Sequence, residues 1–408
     1  MQKDSNFNKF LLLWFGELVS SIGGGLTSFG LSVYIFNITG SAANMALVML
    51  LSSLPILILG MPAGVLADRY DRRNLIMLGD GLSAIGVIYI LACMINGGAT
   101  IFQICIGILI SSIFSSLLEP SYKATMTDIL SKEEYSKASG MVGIAGGARY
   151  LISPLIAGFL LSISDIKLLL MIDISTFIFT VLMTRIVKNS IKSKKTINKE
   201  DFLKDFRTGW KVITNKKGLI FILIISSMVT FFIGIFQILA EPLILDFTTS
   251  KILGICETIC ASGMIFSGVI LGIKGIKKGY VKILSQTLLL AGLGMMMVGL
   301  KENIYLICVA GFFFFFMLPF VNNCLDYLVR INVVEQYQGR AWSIISFVTQ
   351  VGYVIAYAIS GRIADKVSLV TGSSIGRSSG IIISISGIML LITGVVVFFI
   401  KPIKELEK

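Results

Sequence analysis

The 408-residue chain predicts an all-α membrane protein, with twelve transmembrane helices in two six-helix, pseudo-symmetric bundles. Three observations carry this expectation. Hydrophobic residues make up 55% and charged residues 14%, with a mean hydropathy of +0.88, whereas soluble domains carry about 25% charged residues. The apolar residues fall in twelve windows of about 20 or more, long enough to cross a hydrocarbon core. One long basic loop divides the windows into six and six.

In chain order the windows lie near 10–36, 44–66, 75–95, 101–122, 138–161 and 168–187, then 218–245, 252–273, 281–300, 304–329, 340–363 and 377–400. Each predicts a helix, because backbone in lipid must satisfy its own hydrogen bonds and none of the windows shows the alternation of barrel strands. The first window contains Glu17 and lacks a small-residue cleavage pattern, so it is expected to stay as a membrane helix. The domains expected are 1–187, a first bundle; 188–217, a cytoplasmic linker; and 218–408, a second bundle. Within the linker, Phe202, Phe206, Trp210 and Ile213 fall on one helical face, which predicts a helix in the membrane interface; a solvated linker fits the Lys-rich sequence equally.

With the N-terminus in the cytoplasm, 28 of the 35 Lys and Arg residues fall on cytoplasmic segments, 6 on the outer side and one, Arg149, within a span. The positive-inside rule is therefore obeyed, both termini are expected in the cytoplasm, and the net charge of +12 is a topology signal that also attracts anionic lipid. Nucleic acid is not needed as a partner. Histidine is absent, which excludes histidine-based triads and zinc or haem ligation through imidazole. The six cysteines lie in apolar runs and imply no disulfide framework. No cofactor or metal is called for, and no GxxxxGK[ST] loop exists to bind a nucleotide.

Residues 64–73, GVLADRYDRR, join the second and third windows. Gly64 suits close backbone approach there, and Asp68 faces Arg69, Arg72 and Arg73 at the membrane surface. This segment resembles the signature loop of the major facilitator superfamily, in which such residues latch the inner helix ends in one conformation. The resemblance implies the major facilitator fold. The matching loop at 272–282 keeps glycine and lysines but has no aspartate, so a second latch is expected to be degenerate or absent. Residues 139–160, SGMVGIAGGARYLISPLIAGFL, are similar to the fifth helix of drug exporters in this family, with Pro154 expected to kink it and Gly143, Gly147 and Gly158 to admit neighbouring backbones. From Trp14-Phe15-Gly16 through Thr39-Gly40-Ser41 to Pro154 the resemblance is to the macrolide-efflux branch of the drug and proton antiporters. The fourth window lacks an arginine that many proton antiporters carry. An internal echo, EEYSKA at 133–138 against EQYQGRA at 335–341, with Gly158 and Gly361, suggests a duplicated half.

Ionisable groups within the windows are costly and are functional candidates. Asp80, Glu119, Asp326 and Arg330 fall near inner helix ends and Asp173 and Glu257 near outer ends, where capping or snorkelling competes with transport. Glu17, Arg149 and Glu241 remain, on windows that the resemblance places around a central cavity. Glu17 with Arg149 fits a proton or cationic-substrate site, and equally a static ion pair between spans. Glu241 precedes Pro242, which fits an outer gate or a simple kink. The Phe312–Phe316 run is expected mostly in lipid, with packing the default for the rest.

The function expected is export of a hydrophobic or amphiphilic, macrolide-like small molecule across the plasma membrane by proton antiport and alternating access. The partners are that substrate, protons and membrane lipids, and a monomer is expected. A carrier of the same fold for a lipid, siderophore or nutrient is the alternative, as is a non-transporting membrane sensor; no enzyme is expected.

Overall fold

A computed structural model describes residues 6–131, 134–189 and 202–407. Among these residues there is no strand, and twelve helices are long and apolar enough to cross a membrane. The helices are α1 (Phe7–Thr39), α2 (Ala42–Arg69), α3 (Arg72–Ile95), α4 (Ile101–Ser115), α5 (Leu118–Ile129), α6 (Tyr135–Leu151), α7 (Ser153–Ile163) and α8 (Ile166–Asn189). They continue with α9 (Phe202–Thr214), α10 (Lys217–Leu245), α11 (Ser250–Lys274), α12 (Tyr280–Val298), α13 (Ile304–Asn332), α14 (Glu335–Thr371), α15 (Ile375–Phe399) and α16 (Lys401–Glu405). The fourth span is α4 with α5, and the fifth is α6 with α7.

Local chemistry sets the boundaries. Thr100 starts α4 with a capping box: its side chain accepts from the Gln103 amide, while Gln103 accepts from the Thr100 amide at 2.9 Å. Asn303 and Ser374 cap α13 and α15 through their side chains. The fifth span breaks at Ile152, because Pro154 has no N–H to donate and its ring excludes a continuous helix. Pro242, by contrast, sits inside α10, which runs on to Leu245.

The helices sort into two compact units. The first holds the residues up to Thr39, those from Leu47 through α8, and Ser250–Ile255; the second holds Gly40–Ala46, the residues from α9 to Thr249, and those from Cys256 onward. In the first unit α1 packs on α8, α6 and α7, and α3 packs on α4, α5 and α8. In the second unit α10 packs on α14 and α15, and α12 on α13 and α15. The same pairing recurs with α10 for α1, α12 for α3 and α15 for α8, the pattern a duplicated half produces.

Residues 190–201 of the expected linker lie outside the described residues. Helix α9 joins the second unit, lying along α14, because Gly209 leaves room for the Arg340 carbonyl and Phe206 meets Phe347 edge-on at 6.2 Å. Ile213 is buried, while Trp210 is 46% exposed, so the apolar face is divided between α14 and the surroundings. Of the phenylalanine run only Phe314 is fully buried, stacked on Phe236 at 5.1 Å.

Candidate functional site

Three glycines spaced by seven, Gly16, Gly23 and Gly30, let α1 lie close against α8. A Cβ at Gly23 would overlap Thr176 and Asp173, and one at Gly30 would press on Leu169. On its other side α1 is tied to the fifth span: Trp14 Nε1 donates to the Met141 carbonyl at 2.6 Å and Ser153 Oγ donates to the Ile22 carbonyl at 3.0 Å. These contacts hold the polar groups of the first unit in place.

Glu17 is half-buried on α1, in the field of Glu119 and of Arg149. Among the described residues no ion pair joins Glu17 to Arg149, whose side chain is exposed. The expected pairing is therefore replaced by an action at longer range; α6 packs inward through Ala138, Ala145 and Ala148 and turns Arg149 away. Two acids set aside as helix-end residues are the buried ones. Asp173 is 1% exposed; Thr27 Oγ1 donates to its Oδ2 at 2.6 Å, and Arg149 acts on it electrostatically. Asp80 is 2% exposed, with Glu17 and Asp173 the charges bearing on it. Glu17 and Asp173 thus both bear on the buried Asp80 inside one unit. Spacing along the chain did not reveal this, because it depends on the packing of α1 on α8 at the glycine seam and of α3 on α8.

In the second unit, Glu241 is buried on α10 and acts on Glu257 of α11. One turn before Glu241, Gln237 accepts a hydrogen bond from the Tyr357 hydroxyl at 2.6 Å. Glu257, also set aside from the sequence, therefore belongs with Glu241.

The loop at 64–73 is organised around Arg72. Its Nη1 meets Asp128 at 2.7 Å and the Ala124 carbonyl at 3.0 Å, and its Nε donates to the Ala67 carbonyl at 3.1 Å. One guanidinium thereby joins the end of α2 to α5. Asp68 is exposed and pairs with Arg72 at 3.7 Å as expected, while Arg69 is exposed and Arg72 also reaches Asp128, a partner the sequence did not reveal. Arg73 pairs with Asp71, whose side chain also caps α3. Gly64 is corrected too: α2 runs through it, and a Cβ there meets nothing within 4 Å. Gly143 and Gly147 likewise face open space, whereas Gly158 lies against the Ser250 carbonyl within the first unit. Its counterpart Gly361 lies against the Ala42 carbonyl within the second unit, where Asp365 accepts from Ser41 Oγ at 2.6 Å and from the Ala42 amide at 3.0 Å.

The Tyr280 and Val281 amides at the start of α12 donate to Glu407 at 2.7 and 3.2 Å, so a carboxylate from beyond α16 does for α12 what Asp71 does for α3.

The Major Facilitator Superfamily profile matches residues 13–357. The chain belongs to the Major Facilitator Superfamily. Macrolide efflux protein A of Streptococcus pyogenes is 24% identical over 384 residues, covering 90% of this chain and 93% of that protein. Macrolide efflux protein A of Enterococcus faecalis is 25% identical over 311 residues, covering 72% and 93%. Among solved structures, the nucleoside transporter NupG, in a mutant form, has a TM-score of 0.76 at 14% identity, covering 96% of this chain and all (100%) of the other. A bacterial homologue of the iron transporter ferroportin, in an inward-facing state, has a TM-score of 0.71 at 12% identity, covering 95% and 100%. This member of the superfamily is a multi-pass membrane transporter and not an enzyme.

Proposed function

We propose that this transporter exports a hydrophobic or amphiphilic, macrolide-like compound across the plasma membrane in exchange for protons, with both termini in the cytoplasm. The observation that carries the reading is the set of carboxylates Glu17, Asp80 and Asp173 held inside the first unit with Arg149 in electrostatic reach. Acids at that depth are expensive unless their protonation is used. The relatives named for macrolide efflux support the substrate class. Glu17, half-buried, is the proton-exchanging group; Arg149 tunes it, and Glu241 with Glu257 serves the second unit. The working unit is a monomer in contact with anionic lipid through its basic segments.

A drug-susceptibility panel in a host lacking its own exporters tests this. The wild type is expected to raise resistance to macrolides, and Glu17→Gln to lose that resistance at equal abundance. Unchanged resistance in the variant removes Glu17 from the mechanism, and no resistance from the wild type removes the drug-export reading.

A further inference from the structure

One six-residue pattern stands twice in the chain: GVLADR at 64–69, where α2 ends, and GRIADK at 361–366, toward the end of α14. The two copies are engaged differently. A Cβ at Gly64 meets nothing within 4 Å, and Asp68 is exposed. A Cβ at Gly361 would overlap the backbone of Ala42 and Ala43, and one turn further on Asp365 lies over the first turn of α2.

There Asp365 gathers three donors. Ser41 Oγ donates to its Oδ2 at 2.6 Å, the Ala42 amide to its Oδ1 at 3.0 Å and the Ala43 amide to its Oδ2 at 3.3 Å. Ser41 Oγ in turn accepts from the Asn44 amide at 3.3 Å. The first amides of a helix have no partner inside it and carry the positive end of its dipole, so a carboxylate gains there from hydrogen bonding and from charge together. Among the described residues no Lys or Arg forms an ion pair with Asp365, which leaves the start of α2 as its counter-charge. Ala42 and Gly361, which meet beside it, offer little apolar area to hold the contact without the carboxylate.

The position of this cap along α2 matters. Gly40–Ala46 belong to the second unit, whereas α2 from Leu47 onward belongs to the first. At its other end α2 is fastened within the first unit by Arg72, which joins the Ala67 carbonyl to Asp128 on α5. Asp365 therefore holds the start of a helix whose far end is anchored in the other unit. A hydrogen-bonded cap at such a crossing can be broken and remade in every cycle of opening and closing.

We propose that Asp365 is a positioning residue of the transport cycle: it docks the start of α2 on α14 while the substrate path is closed at that end, and releases it when the path opens there. With both termini in the cytoplasm this is the outer end. The inference goes beyond the export reading, since it holds for either direction of transport and for any substrate or coupling ion.

Hydrogen–deuterium exchange of the purified full-length protein in lipid nanodiscs, without substrate, tests it. Asp365→Asn is expected to speed exchange at 37–46 and 361–372 and to slow it at 64–73, at the opposite end of α2, by about 10-fold each, the worth of one charge-assisted hydrogen bond. The change of sign is the readout, because a population that opens at one end closes at the other, whereas a merely structural contact moves only the segments it touches. Gly361→Ala, which pushes α2 off its seat, and Ser41→Ala, which removes one donor, are expected to act in the same direction. A rise confined to 37–46 and 361–372, a rise at both ends of α2, or no change anywhere overturns the proposal. If Asp365→Asn does not fold, unchanged exchange at 64–73 in both Gly361→Ala and Ser41→Ala overturns it instead. A negative drug-susceptibility panel leaves these outcomes untouched, as no substrate enters the measurement.

Discussion

Arg72 shows how much one side chain can hold. Its planar fork reaches a carboxylate on α5 and carbonyls on α2 and α5 at once, which an ammonium cannot do. Arg72→Lys is therefore expected to slow transport and lower thermal stability, and Arg72→Ala to do both more severely. The pair is only partly buried, so the loss is expected to fall below that of a fully buried ion pair. Substrate flux and unfolding temperature measured on the same preparation check this, and wild-type values for Arg72→Lys would show that charge alone suffices. Asp68→Asn is expected to change stability little, since that carboxyl is 58% exposed. The arginines were legible in the sequence as a group, but the partner Asp128 was not. It lies on the fourth span, 56 residues away, and only the packing of α3 on α5 brings it near.

Among the elements, α6 and α7 give the sharpest contrast between glycines that look alike in sequence. Gly143→Ala and Gly147→Ala are expected to leave membrane abundance unchanged, because an added Cβ meets nothing. Gly23→Ala and Gly158→Ala are expected to reduce it strongly, because the Cβ would overlap Thr176 in one case and the Ser250 carbonyl in the other. Abundance of the four variants after detergent extraction separates the groups, and equal behaviour would refute the seam. At α12 the cap comes from Glu407, and Glu407→Ala leaves two amides unserved at a cost of about 1 kcal/mol. A lowered unfolding temperature for Glu407→Ala with Glu405→Ala unchanged is the expected result. The loop at 272–282 shows no aspartate, and the compensating acid stands more than a hundred residues later in the chain.

For the molecule as a whole, the exchange reading makes flux depend on an imposed pH difference. Under proton exchange, proteoliposomes with an acidic interior are expected to accumulate labelled substrate and those with an acidic exterior to expel it. Collapsing the gradient with a protonophore should remove the effect. Substrate movement indifferent to the gradient would leave the carrier intact and remove its proposed energy source.

The twelve spans and the membrane setting were legible in composition and window length, because the bilayer imposes its thickness on any helix that crosses it. The family was legible for the same reason, in a short loop whose residues are contiguous. Which acids are buried was decided only by tertiary structure. Asp80 and Asp173 look ordinary along their own helices and become interior when α1 closes on α8, with room made by Gly23 and Gly30, and α3 packs on α8. Burial is a property of what neighbours a residue has in space, and a linear pattern records neighbours only along one helix.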